Sequence, residues 1–118
     1  MFDHIGLHVG NLAASVRFYE AVLAPLGFVL CSRDDTSAGF GPKDAPALWL
    51  YASEQPAHAH VALRAETREA VGAFYSRGLE TGGKDNGKPG VRADYSPTYY
   101  AAFLIDPDGN NVEAVTYR

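Results

Sequence analysis

DHIGLHVGNLAASVRFYEAVLAPLGF, residues 3–28, is answered half a chain later by HAHVALRAETREAVGAFYSRGLETGG, residues 58–83. Shifted by 56 positions, His4 falls on His60, Leu7 on Leu63, Phe18 on Phe74, Tyr19 on Tyr75, Leu23 on Leu79 and Gly27 on Gly83. Self-similarity of this kind marks a repeated structural unit. Each copy opens with alternating residues, 2–9 and 58–65. In the first copy Ile5, Leu7 and Val9 share one face of a strand, and His4, Gly6 and His8 share the other. Asn11 and Thr67 then stand where a helix N-cap belongs. Leu12, Ser15, Val16, Tyr19, Leu23 and Leu26 follow at three- and four-residue spacing, as do Val71, Phe74, Tyr75, Gly78 and Leu79. Gly27 and the pair Gly82–Gly83 predict the helix stops.

Working outward, three strands are expected after each helix: 27–33, 37–41 and 46–52, then 89–94, 99–105 and 111–117. Gly-Pro at 41–42 and Asp-Pro-Asp-Gly at 106–109 read as turns between them. Each half is thus β-α-β-β-β. The expected fold is α+β, with two repeats (about 1–55 and 57–118) in a single domain. They pair into a cup-shaped, half-barrel mixed sheet, because half a sheet alone leaves one face uncovered. The faces opposite the helices, with His4, Gly6, His8, His60, Ala62 and Arg64, look into that cup. Polar groups there are costly unless something satisfies them, which points to a binding site.

Composition narrows the function. The chain has 118 residues, 47% of them hydrophobic and 20% charged, with a formal charge of −4. No basic stripe argues for nucleic acid or for an anionic membrane surface as partner. One cysteine, Cys31, cannot form an internal disulfide, which fits a reducing cytoplasm. No apolar run is long enough to span a bilayer, and no signal-peptide pattern is read at the N-terminus.

His4 and His60 are repeat mates. Aligning ALWLYAS (47–53) with NNVEAVT (110–116), or near registers, sets Glu113 beside Trp49. Two imidazoles and a carboxylate form a facial set that suits Fe(II), Mn(II) or Zn(II) and leaves coordination positions open. His8 lies about 13 Å farther along an extended strand than His4, so it reads as a pocket residue rather than a ligand. The stretch 84–100, KDNGKPGVRADYSPTYY, has no counterpart in the first half and reads as a long loop. Tyr95, Tyr99 and Tyr100 give it aromatic weight, and unrepeated loops often carry specificity.

Residues 3–28 together with FLIDPDGNNVEAV (103–115) resemble the opening and closing signatures of the vicinal-oxygen-chelate superfamily, that of glyoxalases, bleomycin-resistance proteins and extradiol dioxygenases. The 84–100 stretch resembles a subgroup whose members mostly lack an assigned reaction. The resemblance implies metal ligands at His4, His60 and Glu113, and a divalent ion (Fe, Mn, Zn or Ni). It also implies a homodimer in which His4 of one chain can meet His60 and Glu113 of another. Glyoxalase-like members carry a fourth, acidic ligand where this chain has Trp49, so a three-ligand site is expected. The implied function is that of a metal-dependent enzyme chelating the oxygens of a small-molecule substrate, of lyase, isomerase, transferase or dioxygenase type. His8, Trp49, Tyr95, Tyr99 and Tyr100 line its pocket, and His8 and Tyr99 are candidates for proton transfer. The alternative is a metal-free binding protein that sequesters an aromatic or cationic compound, as bleomycin-resistance proteins do.

Overall fold

A computed structural model describes residues 3–55 and 57–118; Phe2, included in the first expected strand, lies outside them. The element order is β1 (Ile5–Val9), α1 (Leu12–Leu23), a 3-10 turn (Ala24–Leu26), β2 (Val29–Arg33), β3 (Ser37–Gly41), β4 (Leu48–Ala52), β5 (His60–Arg64), α2 (Arg68–Glu80), β6 (Lys84–Val91), β7 (Tyr100–Ile105) and β8 (Asn111–Thr116). The fold is α+β and repeats β-α-β-β-β twice. Asn11 caps α1 by accepting from the Ala14 N–H, and Thr67 caps α2 by accepting from the Ala70 N–H, both at 3.0 Å. Gly27 follows the first helix with φ +91°, a left-handed value that costs glycine nothing.

The strands form two open four-stranded sheets, ordered β1-β4-β3-β2 and β5-β8-β7-β6. In each, the first strand runs parallel to the last strand of its own repeat. Each helix packs on the apolar face of its sheet, and α1 packs against α2. Phe18, Tyr19, Val22, Phe40, Phe74, Leu104 and Val112 are fully buried in one core that runs through both repeats. Burying such side chains stabilises by roughly 1.5–3 kcal/mol each.

A polar clamp crosses the seam. Asp106, buried in the turn before β8, accepts from the Tyr19 hydroxyl of α1 at 2.7 Å. Its other contacts organise its own turn, through the Asp108 and Asn110 N–H groups and the Asn110 side chain. Asp108 reaches the first repeat, accepting from the Gly10 N–H at 2.7 Å and the Ser15 hydroxyl at 2.9 Å. Within one chain the repeats therefore meet through their helices and this turn, and the opposite sheet faces stay open.

One element departs from the sequence expectation. Residues 84–91 are a strand, not the start of a long loop, and the strand expected at 89–94 begins five residues earlier. Asn86-Gly87 and Lys88-Pro89-Gly90 look like turns. On an edge strand, however, the pairing with β7 skips between Asp85 and Gly87 and again between Gly87 and Gly90. Bulged edges are where proline and glycine are tolerated in a sheet.

Candidate functional site

β8 lies between β5 and β7, and Glu113 sits at its middle with Ala62 on one side and Phe103 on the other. Val112 and Ala114 turn into the core, so pleating sends Glu113 to the open face. Its side chain is nonetheless only 4% exposed. A carboxylate in that position needs partners. His60, at the start of β5, approaches with Nε2 at 3.2 Å from Glu113 Oε1 and is itself 49% exposed. The Tyr99 hydroxyl donates to Glu113 Oε2. Burial first, then this bond to a carboxylate, holds the Tyr99 phenol well above its ordinary pKa, so it acts as a donor at neutral pH.

The surroundings fix both acidic and basic partners. The Ala59 N–H donates to the buried Asn110 side chain at 2.8 Å, and the Asn111 N–H donates to the Ala59 carbonyl at 2.9 Å. The clamp turn therefore sets the position of the residue just before His60. Tyr99 stands edge-on to Tyr95 (5.0 Å) and Tyr117 (5.3 Å). The loop that carries Tyr95 and Tyr99 is closed by the Arg92 N–H to Tyr99 carbonyl bond at 2.7 Å. His60, Tyr95, Tyr99, Phe103, Asn111 and Glu113 together line an opening of about 500 Å³, a size that suits a small molecule.

The first sheet offers a different surface. His4 is 59% exposed and its Nδ1 donates to Asp3 Oδ1 at 2.7 Å. A histidine whose second nitrogen is held by a carboxylate is arranged as metal-ligating histidines are. His8 lies beside Tyr51, ring centroids 6.1 Å apart. Trp49 pairs with Gly6 as Glu113 pairs with Ala62. Gly6 and Ala62 are mates in the 56-residue repeat, so Trp49 does occupy the position equivalent to Glu113.

Of the sequence-derived candidates, one chain thus gathers His60, Glu113, Tyr99 and Tyr95. His4, His8 and Trp49 stand on the other sheet, and no three His, Cys, Asp or Glu side chains among the described residues converge. Tyr100 points to the opposite face from Tyr99 and packs against the core, with the Arg68 guanidinium 4.7 Å from its ring. Arg92 donates to the Lys88 carbonyl at 2.5 Å and covers Phe103. Sequence reasoning missed Phe103, Tyr117 and Tyr51. The signal was alternation alone: Phe103 faces Glu113 across the ladder, and Tyr51 follows Trp49 by two.

A family model described as the Glyoxalase/Bleomycin resistance protein/Dioxygenase superfamily matches residues 1–114. The chain belongs to this superfamily. A glyoxalase/bleomycin resistance protein from Albidiferax ferrireducens is 27% identical, with 98% of this chain and 97% of that one covered and a TM-score of 0.85. A mutant glyoxalase I from Zea mays is 26% identical at a TM-score of 0.73, over 97% of this chain and 45% of the maize chain. A putative glyoxalase from Bacillus halodurans, 22% identical with 98% and 94% covered and a TM-score of 0.73, shares the fold. No curated protein matches. Among the described residues no helix is long and apolar enough to cross a membrane.

Proposed function

We propose that this superfamily member is a metal-dependent enzyme acting on a small molecule, with a divalent ion held by His60 and Glu113 of one chain and His4 of a second copy. The observation that carries this reading is the buried Glu113 carboxylate with His60 Nε2 at 3.2 Å from Oε1 on an open sheet face. Two donors that each lie about 2 Å from one ion have such a separation. The donor set suits Fe, Mn, Zn or Ni. When bound, the ion supplies Lewis acidity toward substrate oxygens.

The remaining work falls to side chains of this chain. Tyr99 occupies Glu113 Oε2 and so presents Oε1 toward His60. Its raised pKa keeps the phenol protonated, so its one hydrogen stays on the bond to Glu113 and its oxygen can accept from a substrate donor. Tyr95 and Phe103 give the opening aromatic walls beside the carboxylate. The likeness to the maize glyoxalase I supports an enzyme over a sequestering protein, and the buried acid has no use in a purely stacking site.

The homodimer is supported by the separation of His4 from His60 within one chain. It has a direct test: His4→Ala and His60→Ala chains, each inactive in binding Zn(II) or Mn(II) by calorimetry, are unfolded together and refolded as a mixture. A site shared between copies regains one intact set in each mixed dimer, so metal binding reappears. No recovery in mixtures verified to contain mixed dimers would refute the shared site. Equal metal affinity in wild type and Glu113→Gln would refute the metal reading itself.

A further inference from the structure

The open face of the second sheet carries more positive charge than the metal reading uses. Among the described strand residues Glu113 is the one acid on that side; Asp85 lies on the opposite face, bonded to the Tyr75 hydroxyl of α2 at 3.0 Å. Arg64, opposite Val115, and Lys84, opposite Ile105, face the open side by register. Arg92 joins them from the end of β6. Its guanidinium carbon stands 5.4 Å from the Phe103 ring centroid. A Cβ on Gly87 would come within 3.2 Å of one terminal nitrogen, and a Cβ on Gly90 within 3.1 Å of the other. The two glycines of the bulged edge thus leave the space that the guanidinium fills. The Arg92 backbone is fixed as well: its N–H donates to the Tyr99 carbonyl at 2.7 Å, and its carbonyl accepts from the Tyr95 N–H at 3.0 Å. One guanidinium nitrogen donates to the Lys88 carbonyl. Among the described residues the cation–carboxylate pairs are those of His4 and His60, so Arg92 has no counter-charge.

We infer that Arg92 binds the distal carboxylate of a substrate whose other end reaches Glu113, which makes the substrate class a keto or hydroxy acid with a second carboxylate. A held guanidinium with unused N–H donors matches a carboxylate in charge and in planar geometry. A single guanidinium suits a monoanionic group better than a phosphate dianion. Gly87 pairs with Phe103 and Phe103 with Glu113, so the three share one row across the sheet. Two strand spacings make that row roughly 9–10 Å long, and a short dicarboxylate bonded at both ends spans it with its carbon chain against the Phe103 ring. The inference rests on the proposed function for the chelating end alone. The seat at Arg92 needs no ion.

Zn(II)-loaded protein and protein stripped by chelator and desalted are each titrated with 2-oxoglutarate and with 2-oxopentanoate, which differ only in the distal carboxylate. The Gly87 and Phe103 amide cross-peaks of a proton–nitrogen spectrum report the affinities. 2-Oxoglutarate should bind at least about tenfold more tightly in both samples, a difference of 1.4 kcal/mol. Arg92→Met, which keeps an apolar stem over Phe103, should bring the ratio near one and leave 2-oxopentanoate binding unchanged. Arg92→Lys replaces the fork by a point charge and should fall between the two. An arginine that only braces the loop would lower the melting temperature of these variants and leave the ratio alone. Wild type that prefers neither acid or binds neither, or an unchanged ratio in Arg92→Met, would overturn the inference. Should Arg92→Met misfold, an undiminished ratio in Arg92→Lys does so. Arg64→Gln should keep the preference, and a loss there would place the anion beside Tyr117 and overturn the seat at Arg92. The metal reading fails separately: affinities that are the same with and without Zn(II) count against an ion at Glu113 and leave the preference for the dicarboxylate standing.

Discussion

Glu113 costs the metal-free protein stability, and replacing it should show that cost. Its carboxylate is buried at 3% exposure in the middle of a sheet, held by one half-exposed histidine and one tyrosine. Replacing a buried charged pair by apolar side chains of similar size commonly stabilises by about 1–4 kcal/mol. Because His60 is 49% exposed and partly screened, the low end applies, about 1–2 kcal/mol for Glu113→Leu. The Tyr99 hydroxyl that loses its acceptor can turn to water. For 118 residues an unfolding entropy near 2.1 cal/mol/K per residue makes 1 kcal/mol worth about 4 °C. Thermal unfolding in chelator, followed by circular dichroism, should then place Glu113→Leu about 4–8 °C above wild type. Saturating Zn(II) should reverse the order: at a hundred times Kd it adds about 2.7 kcal/mol to wild type and nothing to the variant. A variant less stable than wild type in chelator by 1 kcal/mol or more would mean that Glu113 fastens the sheet, and the argument from a costly buried acid would fall.

Asp106→Ala removes the acceptor of four hydrogen bonds, from Tyr19, Asp108 and two groups of Asn110; urea unfolding should register a loss of about 3–5 kcal/mol, and a loss under 1 kcal/mol would show the clamp to be incidental. Burial, and then the nearby Asp106, raises the Tyr19 pKa well above 10.0 in the folded chain. Its neutral form therefore contributes fully below pH 10, and stability falls as pH rises from there toward the folded value. Tyr19→Phe should be the less stable protein at pH 7 yet lose less than wild type between pH 9 and 11, and parallel pH curves would contradict this. In Gly78→Ala the new Cβ would lie 2.1 Å from Leu104 Cδ1 and 3.2 Å from Val22 Cγ1. Overpacking of about 1–3 kcal/mol should outweigh the gain in helix propensity of about 1 kcal/mol, so a raised melting temperature would refute the tight seam.

The repeat was legible because its signals are local. Asn11 and Thr67 cap the helices where their side chains reach back three residues, and the alternation of residues 4–9 sends His4 and His8 away from the core as the pattern requires. The equivalence of Trp49 and Glu113 was also legible, since it needs only two short strands to be set in register. β6 was not, because the turn chemistry of Asn86-Gly87 and Pro89-Gly90 is indistinguishable in sequence from that of a bulged edge. Tyr99 and Tyr100 differ for a similar reason. Once β7 begins at Tyr100, neighbours take opposite faces, but nothing local marks where a loop becomes a strand. How His4 relates to His60 depends on which surfaces of the two repeats meet, and periodicity carries no information about that.

The clamp turn has a consequence for how the chain is made. Gly10, Ser15 and Tyr19 lie in the first repeat, but the carboxylates that take their hydrogens are at positions 106 and 108. Synthesis from the N-terminus delivers those acceptors 87 to 98 residues after the groups that donate to them. Until then α1 has a tyrosine hydroxyl aimed at an empty place in what will become a dry interior, and the first repeat must wait half-finished. A nascent chain stalled before residue 106 should therefore stay protease-sensitive throughout its first half, and the turn that carries Asp106 and Asp108 acts as the closing stitch of the first repeat.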